Sequence, residues 1–242
     1  MTVTSDLDEN CSAEHALVLF SGGQDSSICL AWALERFASV ETLGFAYGQR
    51  HDVELTTRLR MRSEIAAAFP AWGDKLGKDT LLDASALGQA SSLALTVEKE
   101  IFAQEGGLPN TFVPGRNLLF MVLAASYMHG SNLKWLVGGM CEEDSSGYPD
   151  CRREALDTQL NAINLGMKQE FKSEFPLMTL SKAESWVIAE QLGGKKLVDI
   201  VVEHSHTCYL GDREHRHEWG YGCGTCPACE IRKNGWREYQ DR

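Results

Sequence analysis

The stretch ALVLFSGGQDSSICLAWALERF, residues 16–37, places three patterns side by side. ALVLF (16–20) is a short continuous apolar run, which is typical of a parallel strand covered on both faces. ICLAWALERF (28–37) has the spacing of a helix. Between them, SGGQDSS (21–27) is longer and more polar than a strand-to-helix turn requires. The stretch predicts the first strand, loop and helix of a parallel α/β sheet, with a loop that holds a ligand.

Apolar runs and helical patterns go on alternating along the chain. The runs VETLGFAYGQ (40–49) and LKWLVGGM (133–140) predict further strands, whereas residues 70–110 give only weak strand and turn signals. Helical patterns occupy four further places: residues 53–69, the run after the Pro114-Gly115 turn, the run that begins near Pro149, and FPLMTLSKAESWVIAEQLGG (175–194). In the last of these, Ser181 and Glu184 have the spacing of a capping box. This alternation predicts an α/β fold with a doubly wound, mostly parallel sheet.

The chain is acidic, with 34 Asp and Glu residues against 23 Lys and Arg, a net charge of −11. A protein that grips a nucleic-acid backbone usually shows a basic excess, so a small-molecule ligand is favoured. The arginines of RLRMRS (Arg58, Arg60 and Arg62) are interpreted as a solvated helix face. No apolar run approaches the roughly 20 residues of a membrane-spanning helix. Because the acidic N-terminus is unlike a secretory signal or a transit peptide, a cytoplasmic protein is expected.

The loop has the composition of a phosphate cradle. Gly22 and Gly23 allow close approach of the backbone and positive φ, and three serines add hydroxyl donors. The N-terminus of the following helix favours an anion. Asp25 would repel a phosphate unless a cation intervenes, so it predicts either a Mg²⁺ ligand or a helix N-cap. The loop is neither a Walker A motif nor G-x-G-x-x-G, and a plain capped glycine turn is the alternative.

Four cysteines near the C-terminus have the spacing C-x14-C-x2-C-x2-C: Cys208, Cys223, Cys226 and Cys229. Four thiolates can close a tetrahedral, structural zinc site, although an iron–sulfur cluster or buried free thiols are alternatives. His215 and His217 lie between the first two cysteines and are interpreted as part of a solvated loop. The last 40 residues lose the helical period. We therefore expect a mobile extension over residues 1–15, the α/β domain over 16–200, and a zinc-binding segment over 201–242.

A family resemblance joins these motifs. SGGQDS after the first strand resembles the pyrophosphate loop of the N-type ATP pyrophosphatases, which cleave ATP between the α and β phosphates. Within that superfamily the chain resembles the 7-cyano-7-deazaguanine synthases, in order from about residue 16 to about residue 236. The stretches that carry this resemblance are YGQRH (47–51), NTFVPGRNLLF (110–120), SGYPDCR (146–152), PLMTLSKAE (176–184), and TCYLG with CGTCPAC (207–229).

The resemblance implies an adenine nucleotide alpha-hydrolase-like fold and an ATP-dependent ligase. Such an enzyme converts 7-carboxy-7-deazaguanine and ammonia to the nitrile, through an adenylated acid, an amide and an adenylated amide, on the route to queuosine-type bases. The resemblance also implies one structural Zn²⁺ per chain, Mg²⁺ with ATP, and a homodimer. The net charge and the short apolar runs predict that the protein binds neither nucleic acid directly nor a membrane. A relative that stops at the amide, or that joins the acid to another amine, would carry the same ATP motifs.

The resemblance also implies roles for individual residues. The catalytic residues are Asp25, Ser26, Arg116 and Lys182. The ATP-binding residues are Phe20, Ser21, Gly22, Gly23, Gln24, Asp25, Ser26, Ser27, Ile28, Cys29 and Leu30. The substrate-binding residues are Tyr47, Gln49, Arg50, Asn117, Tyr148, Asp150 and Arg152, and the metal ligands are the four cysteines. Asp150 is expected to accept from the guanine-like N–H edge of the substrate, since a carboxylate is an acceptor.

The chain departs from the family pattern at three places. Ala46 stands where an Asp usually precedes YGQRH, and Ser145 stands where an aromatic residue usually precedes SGYPDCR. The loop between Cys208 and Cys223 is also longer than expected and rich in charge. None of these places touches the phosphate loop or the cysteines, but they leave the specificity for the acceptor open.

Overall fold

The computed structural model describes residues 9–47, 53–90, 112–142 and 148–242. In this part of the chain a five-stranded sheet has the order β3-β2-β1-β4-β5, and every pairing in it is parallel. Its strands are β1 (His15–Leu19), β2 (Ser39–Ala46), β3 (Leu76–Asp83), β4 (Leu133–Val137) and β5 (Lys172–Glu174). The prediction of a doubly wound parallel sheet is confirmed. The chain reverses its direction of winding between β1 and β4, which makes a ligand crevice at their carboxyl ends.

Helices cover both faces of the sheet. They are α1 (Gln24–Arg36), α2 (Val53–Ala68), α3 (Pro70–Gly73), α4 (Ser85–Ala90), α5 (Arg116–Met128), α6 (Arg153–Met167), α7 (Lys182–His204) and α8 (Pro227–Gln240), with 3-10 helices at Glu9–Ala13 and Pro149–Cys151. Ala16 and Val18 of β1 pack with α1 and α7, whereas Leu17 and Leu19 pack with α5 and α6. Because both faces of β1 are buried, its sequence is a continuous apolar run.

The C-terminal residues differ from the sequence prediction. The last 40 residues were expected to lack helical periodicity, and this is wrong, because α8 is a 14-residue helix. Its buried positions include Cys229, Arg232 and Gly235, which follow a helical spacing without the aliphatic residues that normally reveal one. A short antiparallel hairpin, β6 (Arg216–His217) and β7 (Gly220–Tyr221), precedes α8.

Helix α7 links the site to the C-terminal elements. Its predicted capping box is confirmed: Ser181 Oγ accepts from Glu184 N at 3.3 Å, and Glu184 Oε2 accepts from Ser181 N at 2.9 Å. The helix is kinked at Gly193 and Gly194. Trp186 of α7 packs edge-on against Trp236 of α8, with ring centroids 5.1 Å apart.

A buried arginine fastens α8 to its surroundings. Arg232 is fully buried and donates to Trp219 O, Thr207 Oγ1 and Val201 O. Burial lowers the pKa of Arg232 to about 10, so the side chain remains a cation at neutral pH. Among the helices that the structure describes, none has both the length and the apolar character needed to cross a membrane.

Candidate active site

A cavity of about 300 Å³ lies at the carboxyl ends of β1, β2 and β4. One end is polar and is formed by the loop after β1, from Phe20 to Ser26. The other end is aromatic and includes Phe45, Phe120 and Tyr148. The strand-to-helix loop that the sequence singled out therefore opens on the crevice where a doubly wound sheet binds its ligands.

The loop is held by its own hydroxyl groups. Ser26 Oγ and Ser27 Oγ donate to Gly23 O at 3.2 and 2.7 Å, and Ser21 Oγ accepts from Gly23 N at 3.2 Å. Helix α1 begins at Gln24 with Gly23 as its N-cap. The N-cap alternative for Asp25 is therefore wrong, because Asp25 lies inside the first turn. The N–H groups at the start of a helix have no carbonyl partner within the helix, and those of α1 lie beside the polar end of the cavity, where the helix dipole stabilises an anion.

Gly22 makes room for a helix as well as for a ligand. Its φ is +84°, and a Cβ built on it would lie 2.8 Å from the Cα and N atoms of Arg58 in α2. A side chain at position 23 would also be crowded, because a Cβ built on Gly23 would lie 3.3 Å from His206 O. The two glycines allow the loop to pass between α2 and the chain that follows α7.

Replacing Gly22 with Ala is expected to destabilise the protein by about 2–5 kcal/mol. Left-handed backbone costs an L-residue about 1–2 kcal/mol, and overpacking against the α2 backbone adds about 1–3 kcal/mol. Thermal unfolding should show a melting temperature lower by roughly 4–20 °C, at about 2–4 °C per kcal/mol for a chain of this size. Gly130→Ala is the matched control, because Gly130 has φ +78° with nothing within 4 Å of its Cβ. Equal losses in both variants would contradict the packing argument.

Asp25, which lines the cavity, forms an ion pair with Lys182, which is not one of the lining residues. Lys182 Nζ donates to Asp25 Oδ2 at 2.8 Å, and the two side chains are 13% and 24% exposed. Lys182 is the first residue of α7, and its stem packs on Gly235, where a Cβ would lie 2.7 Å from Lys182 Cβ. The cation and carboxylate predicted as catalytic residues are thus brought together at the start of α1.

Arg116 lies at the aromatic end. It is the first residue of α5, behind Gly115 with φ +73°, and its Cζ lies 5.7 Å from the centroid of the Tyr148 ring. Phe45 and Phe120 stack nearby, with centroids 4.0 Å apart. Burial lowers the pKa of Arg116, but four neighbouring groups together outweigh it and hold the pKa above its ordinary value: Tyr47, Tyr148, Cys151 and Asp150. The aromatic end thus combines flat apolar surfaces with a permanent cation.

The other residues predicted to bind the substrate fall into two groups, those that line the cavity and those that do not. Asn117, Tyr47 and Tyr148 line the cavity, whereas Asp150 and Arg152 do not. Asp150 is buried, and its Oδ2 accepts from Asn117 N at 2.9 Å. Asp150 therefore stabilises the first turn of α5 through a hydrogen bond to its backbone. Gln49, Arg50 and Ser145 lie outside the described residues.

The residues predicted to bind ATP also fall into groups, some lining the cavity and others lying in the core or inside the loop. Phe20, Ser21, Gly23, Gln24, Asp25 and Ser26 line the cavity. Ile28, Cys29 and Leu30 are fully buried in the core beneath the loop, where burial raises the pKa of the Cys29 thiol. Gly22 and Ser27 act inside the loop, through the backbone contacts given above. Ala46 ends β2 beside Tyr47 and accepts from Ala84 N at 2.7 Å through its carbonyl.

Sequence reasoning missed one wall of the cavity. His206, Thr207 and Tyr209 line it next to the phosphate loop, and His206 N donates to Gly22 O at 3.2 Å. His206 Nε2 lies 3.0 Å from Cys208 O. The stretch TCYLG carried the only available signal, but it was interpreted through its cysteine alone.

The interpretation of RLRMRS as a solvated face is wrong for Arg58. Its side chain is only 3% exposed and lines the cavity. Arg62 is half-buried and donates to Thr42 Oγ1 and Gly77 O. Only Arg60 is solvated, at 66% exposure.

The four predicted metal ligands meet in one cluster. Their sulfurs lie within 4.8 Å of one another, with Cys223 Sγ 3.9 Å from Cys229 Sγ and Cys208 Sγ 4.0 Å from Cys226 Sγ. Four sulfurs at about 2.3 Å from one tetrahedral ion lie about 3.8 Å apart. The arrangement fits a single metal ion.

Neither histidine of the intervening loop joins the described cluster. His215 is 70% exposed, with Nδ1 2.7 Å from Asp212 Oδ2. That carboxylate raises the pKa of His215. His217 is half-buried and stacks on Trp219 with centroids 4.4 Å apart. The solvated-loop interpretation is confirmed for His215, and for His217 it is too simple.

Comparison with known proteins gives a family and a fold. Residues 15–240 match the family described as "Queuosine biosynthesis protein QueC". A "7-cyano-7-deazaguanine synthase" of Bordetella pertussis is 59% identical over 93% of this chain and 92% of the relative. Proteins of the same name from Caulobacter vibrioides and Gluconobacter oxydans are 56% and 55% identical, over 93% and 95% of both chains. The solved 4-thiouridine synthetase–RNA complex with bound ATP is 14% identical with a TM-score of 0.50, over 94% of this chain and 51% of that one, which supports the fold alone.

Proposed function

Because the chain belongs to the QueC family of queuosine biosynthesis proteins, we propose that it is a 7-cyano-7-deazaguanine synthase that converts 7-carboxy-7-deazaguanine, ammonia and ATP to the nitrile. The observation that carries this proposal is the two-ended cavity. Its polar end has the loop, the N-terminus of α1 and Asp25, and Asp25 is paired with Lys182. Its aromatic end has Arg116. Nucleotide phosphates and an aromatic carboxylate can therefore meet in one space.

The proposed chemistry explains why the site is built around phosphates. A carboxylate is a poor electrophile, so its oxygen first attacks the α-phosphorus of ATP and pyrophosphate leaves. Ammonia then displaces AMP from the acyl adenylate and gives the amide. The amide oxygen then attacks the α-phosphorus of a second ATP and pyrophosphate leaves, and loss of AMP and of the amide protons from that adenylate leaves the nitrile. Stabilising the charge on the phosphates is the main catalytic demand in both adenylations.

Different residues stabilise the phosphates and bind the substrate, according to where they lie in the cavity. The N–H groups at the start of α1 and the hydroxyls of Ser21 and Ser26 face the leaving pyrophosphate, and Lys182 offsets its charge. Arg116 binds the substrate carboxylate through its guanidinium fork. Asn117 and Tyr148 contact the deazaguanine directly. Asp150 acts on it through Asn117, to which it is hydrogen-bonded.

Gln49, Arg50 and Arg152 keep their proposed role in binding the deazaguanine. The sequence resemblance supports that role. The proposed division of the chain is also kept: an N-terminal extension over residues 1–15, the α/β domain over 16–200, and the zinc-binding segment over 201–242.

Two metals complete the proposal. Asp25 and the loop hydroxyls offer the oxygen ligands that Mg²⁺ prefers, and Mg²⁺ bound there with ATP would neutralise phosphate charge. The cysteine cluster would hold zinc. Support for zinc comes from the sulfur spacing, since the thiolates of an iron–sulfur cluster bind several irons and need more room.

We also infer a cytoplasmic homodimer with small-molecule partners only. The net charge of −11 supports the absence of direct nucleic-acid binding, because phosphate backbones are bound by basic surfaces. Native mass spectrometry with and without tRNA tests the homodimer and the absence of nucleic-acid binding. A monomer, or a stable tRNA complex, would contradict them.

The test of the function is mass spectrometry of a reaction with ATP, Mg²⁺, ammonium and 7-carboxy-7-deazaguanine. The proposal expects the nitrile, with two AMP and two pyrophosphate for each nitrile formed. A product that stops at the amide, with one AMP, would indicate the alternative ligase. No pyrophosphate release would contradict both.

A further inference from the structure

Arg58 is a buried cation that the proposed function does not use. It lies in the first half of α2, and its 3% exposed side chain reaches the cavity beside the phosphate loop. A buried guanidinium is costly unless its donors are satisfied. The contacts that satisfy it therefore indicate what it holds in place.

Each nitrogen of the guanidinium donates a hydrogen bond. Nη1 and Nη2 form a fork on Asp79 of β3, at 3.0 Å to Oδ2 and 2.5 Å to Oδ1. Nη2 also donates to Thr80 O at 3.3 Å. Nε donates to Phe20 O at 3.2 Å, which is the carbonyl at the start of the loop. The edge strand is thus connected to the loop through one rigid planar group.

Two glycines make this position possible. A Cβ at Gly44 of β2 would lie 2.7 Å from Arg58 Cζ, and a Cβ at Gly22 would lie 2.8 Å from the Arg58 backbone. The guanidinium therefore lies across β2, and the α2 backbone lies against the loop. Neither contact tolerates a side chain in its place.

The bond to Phe20 O fixes more than one atom. The peptide between Phe20 and Ser21 is planar, so a fixed carbonyl also fixes the opposite direction of the Ser21 N–H. Ser21 lines the polar end of the cavity. Because Asp79 neutralises the charge of Arg58, its contribution to the loop is mainly geometric.

We propose that Arg58, held by Asp79, is a positioning residue that orients the phosphate loop for the phosphates of ATP. This inference rests on the proposed function, because it assumes that the loop binds ATP. Lysine at position 58 keeps the charge but cannot hold Asp79 and Phe20 O together. The loop would then sample orientations that do not bind phosphate.

The test uses Arg58→Lys with α,β-methylene-ATP as the probe, and calorimetry measures its Kd. We expect Kd to rise about tenfold, which corresponds to about 1.4 kcal/mol. In turnover assays the KM for ATP should rise while the KM for the deazaguanine acid stays unchanged. A merely structural role would lower kcat through loss of active protein and leave both KM values unchanged, and that result would overturn the proposal.

Arg62→Lys is the matched control. Arg62 lies one turn along α2 and also bonds to β2 and β3, at 2.5 Å to Thr42 Oγ1 and 2.7 Å to Gly77 O. It neither contacts the loop nor lines the cavity, so its variant should keep the wild-type Kd. An equal rise in both variants would overturn the proposal.

Asp79→Asn covers the case in which the lysine variant does not fold. It releases the fork without touching the cavity, and Kd should again rise several-fold. Wild-type protein that binds the probe, with Kd unchanged in these variants, would overturn this inference alone. Wild-type protein that does not bind the probe would overturn the proposed function and this inference with it.

Discussion

Replacing Asp25 with Asn is expected to lower kcat/KM for ATP by about 100- to 1000-fold, the size of effect seen when one preorganised charge-stabilising group is removed. The carboxylate lies 2.8 Å from Lys182 Nζ in the first turn of α1. An amide can neither balance that ammonium nor offer a charged ligand to Mg²⁺. Pyrophosphate release measured over a range of ATP concentrations gives the change.

The fold should survive this substitution. Both side chains of the ion pair are mostly buried, at 13% and 24% exposure, so its loss costs more than the roughly 0–1 kcal/mol of a surface pair. A hydrogen bond to a charged group contributes about 1.5–3 kcal/mol, and a chain of this size loses about 2–4 °C per kcal/mol, so the melting temperature should fall by roughly 3–12 °C. Glu35→Gln is the control, because Glu35 lies at the other end of α1 and bonds to Trp72 Nε1, outside the cavity lining. Turnover within threefold of wild type in the Asp25 variant would contradict the role.

A double-mutant cycle with Lys182→Met tests whether the two residues act as a pair. Residues in direct contact rarely have additive effects. Lys182→Met alone leaves Asp25 unbalanced beside the phosphates, so it should raise the KM for ATP. The double variant should lose less than the sum of the two single losses. If the losses of activity in the two single variants were strictly additive, the contact between Asp25 and Lys182 would not contribute to activity.

Replacing Cys226 with Ser is expected to release the metal and lower the melting temperature by about 10 °C. Cys226 is 6% exposed and is also the N-cap of α8. A ligand present at about a thousandfold excess over its Kd stabilises the folded state by about 4 kcal/mol, and a chain of this size loses about 2–4 °C per kcal/mol. Elemental analysis and thermal unfolding are the two measurements.

Cys11→Ser is the matched control for that variant. Cys11 is also buried, at 8% exposure, but among the described residues it lies outside the sulfur cluster. It should keep one metal per chain and most of its stability. A Cys226 variant that retains its metal and its melting temperature would contradict a closed four-cysteine site.

The sequence was informative for the fold where strands are buried on both faces. The run at β1 is continuous and apolar, and those at β2 and β4 are mostly apolar with few polar interruptions; the prediction of all three strands is confirmed. Strand β5 has only three residues, KSE, which is too short to show a period. Strand β3 lies at the edge, where its largely exposed side chains weaken the apolar signal.

The site was predictable where the chemistry is local to a motif. The phosphate loop and the four cysteines each fall within a recognisable pattern, although Cys208 is distant from its partners. Arg58 was not predictable, because its partner Asp79 lies 21 residues away and three spaced arginines resemble a solvated face. Asp150 was assigned from the resemblance and from its acceptor chemistry, and only the fold shows that it accepts from Asn117 N. The wall at His206 and Tyr209 needed α7 to be placed first.

The order of the site along the chain has a consequence for protein synthesis. The loop at Ser21–Ser26 is made early, whereas Lys182 and the wall at His206–Tyr209 come last. At about 5–20 residues per second, the ribosome adds that wall roughly 9–36 s after the loop. During this interval a nascent chain holds β1 and α1 but lacks the groups that complete its phosphate site. A chain cut short after residue 205 therefore keeps the loop and Lys182 but lacks the wall at His206–Tyr209 that lines the cavity next to the loop.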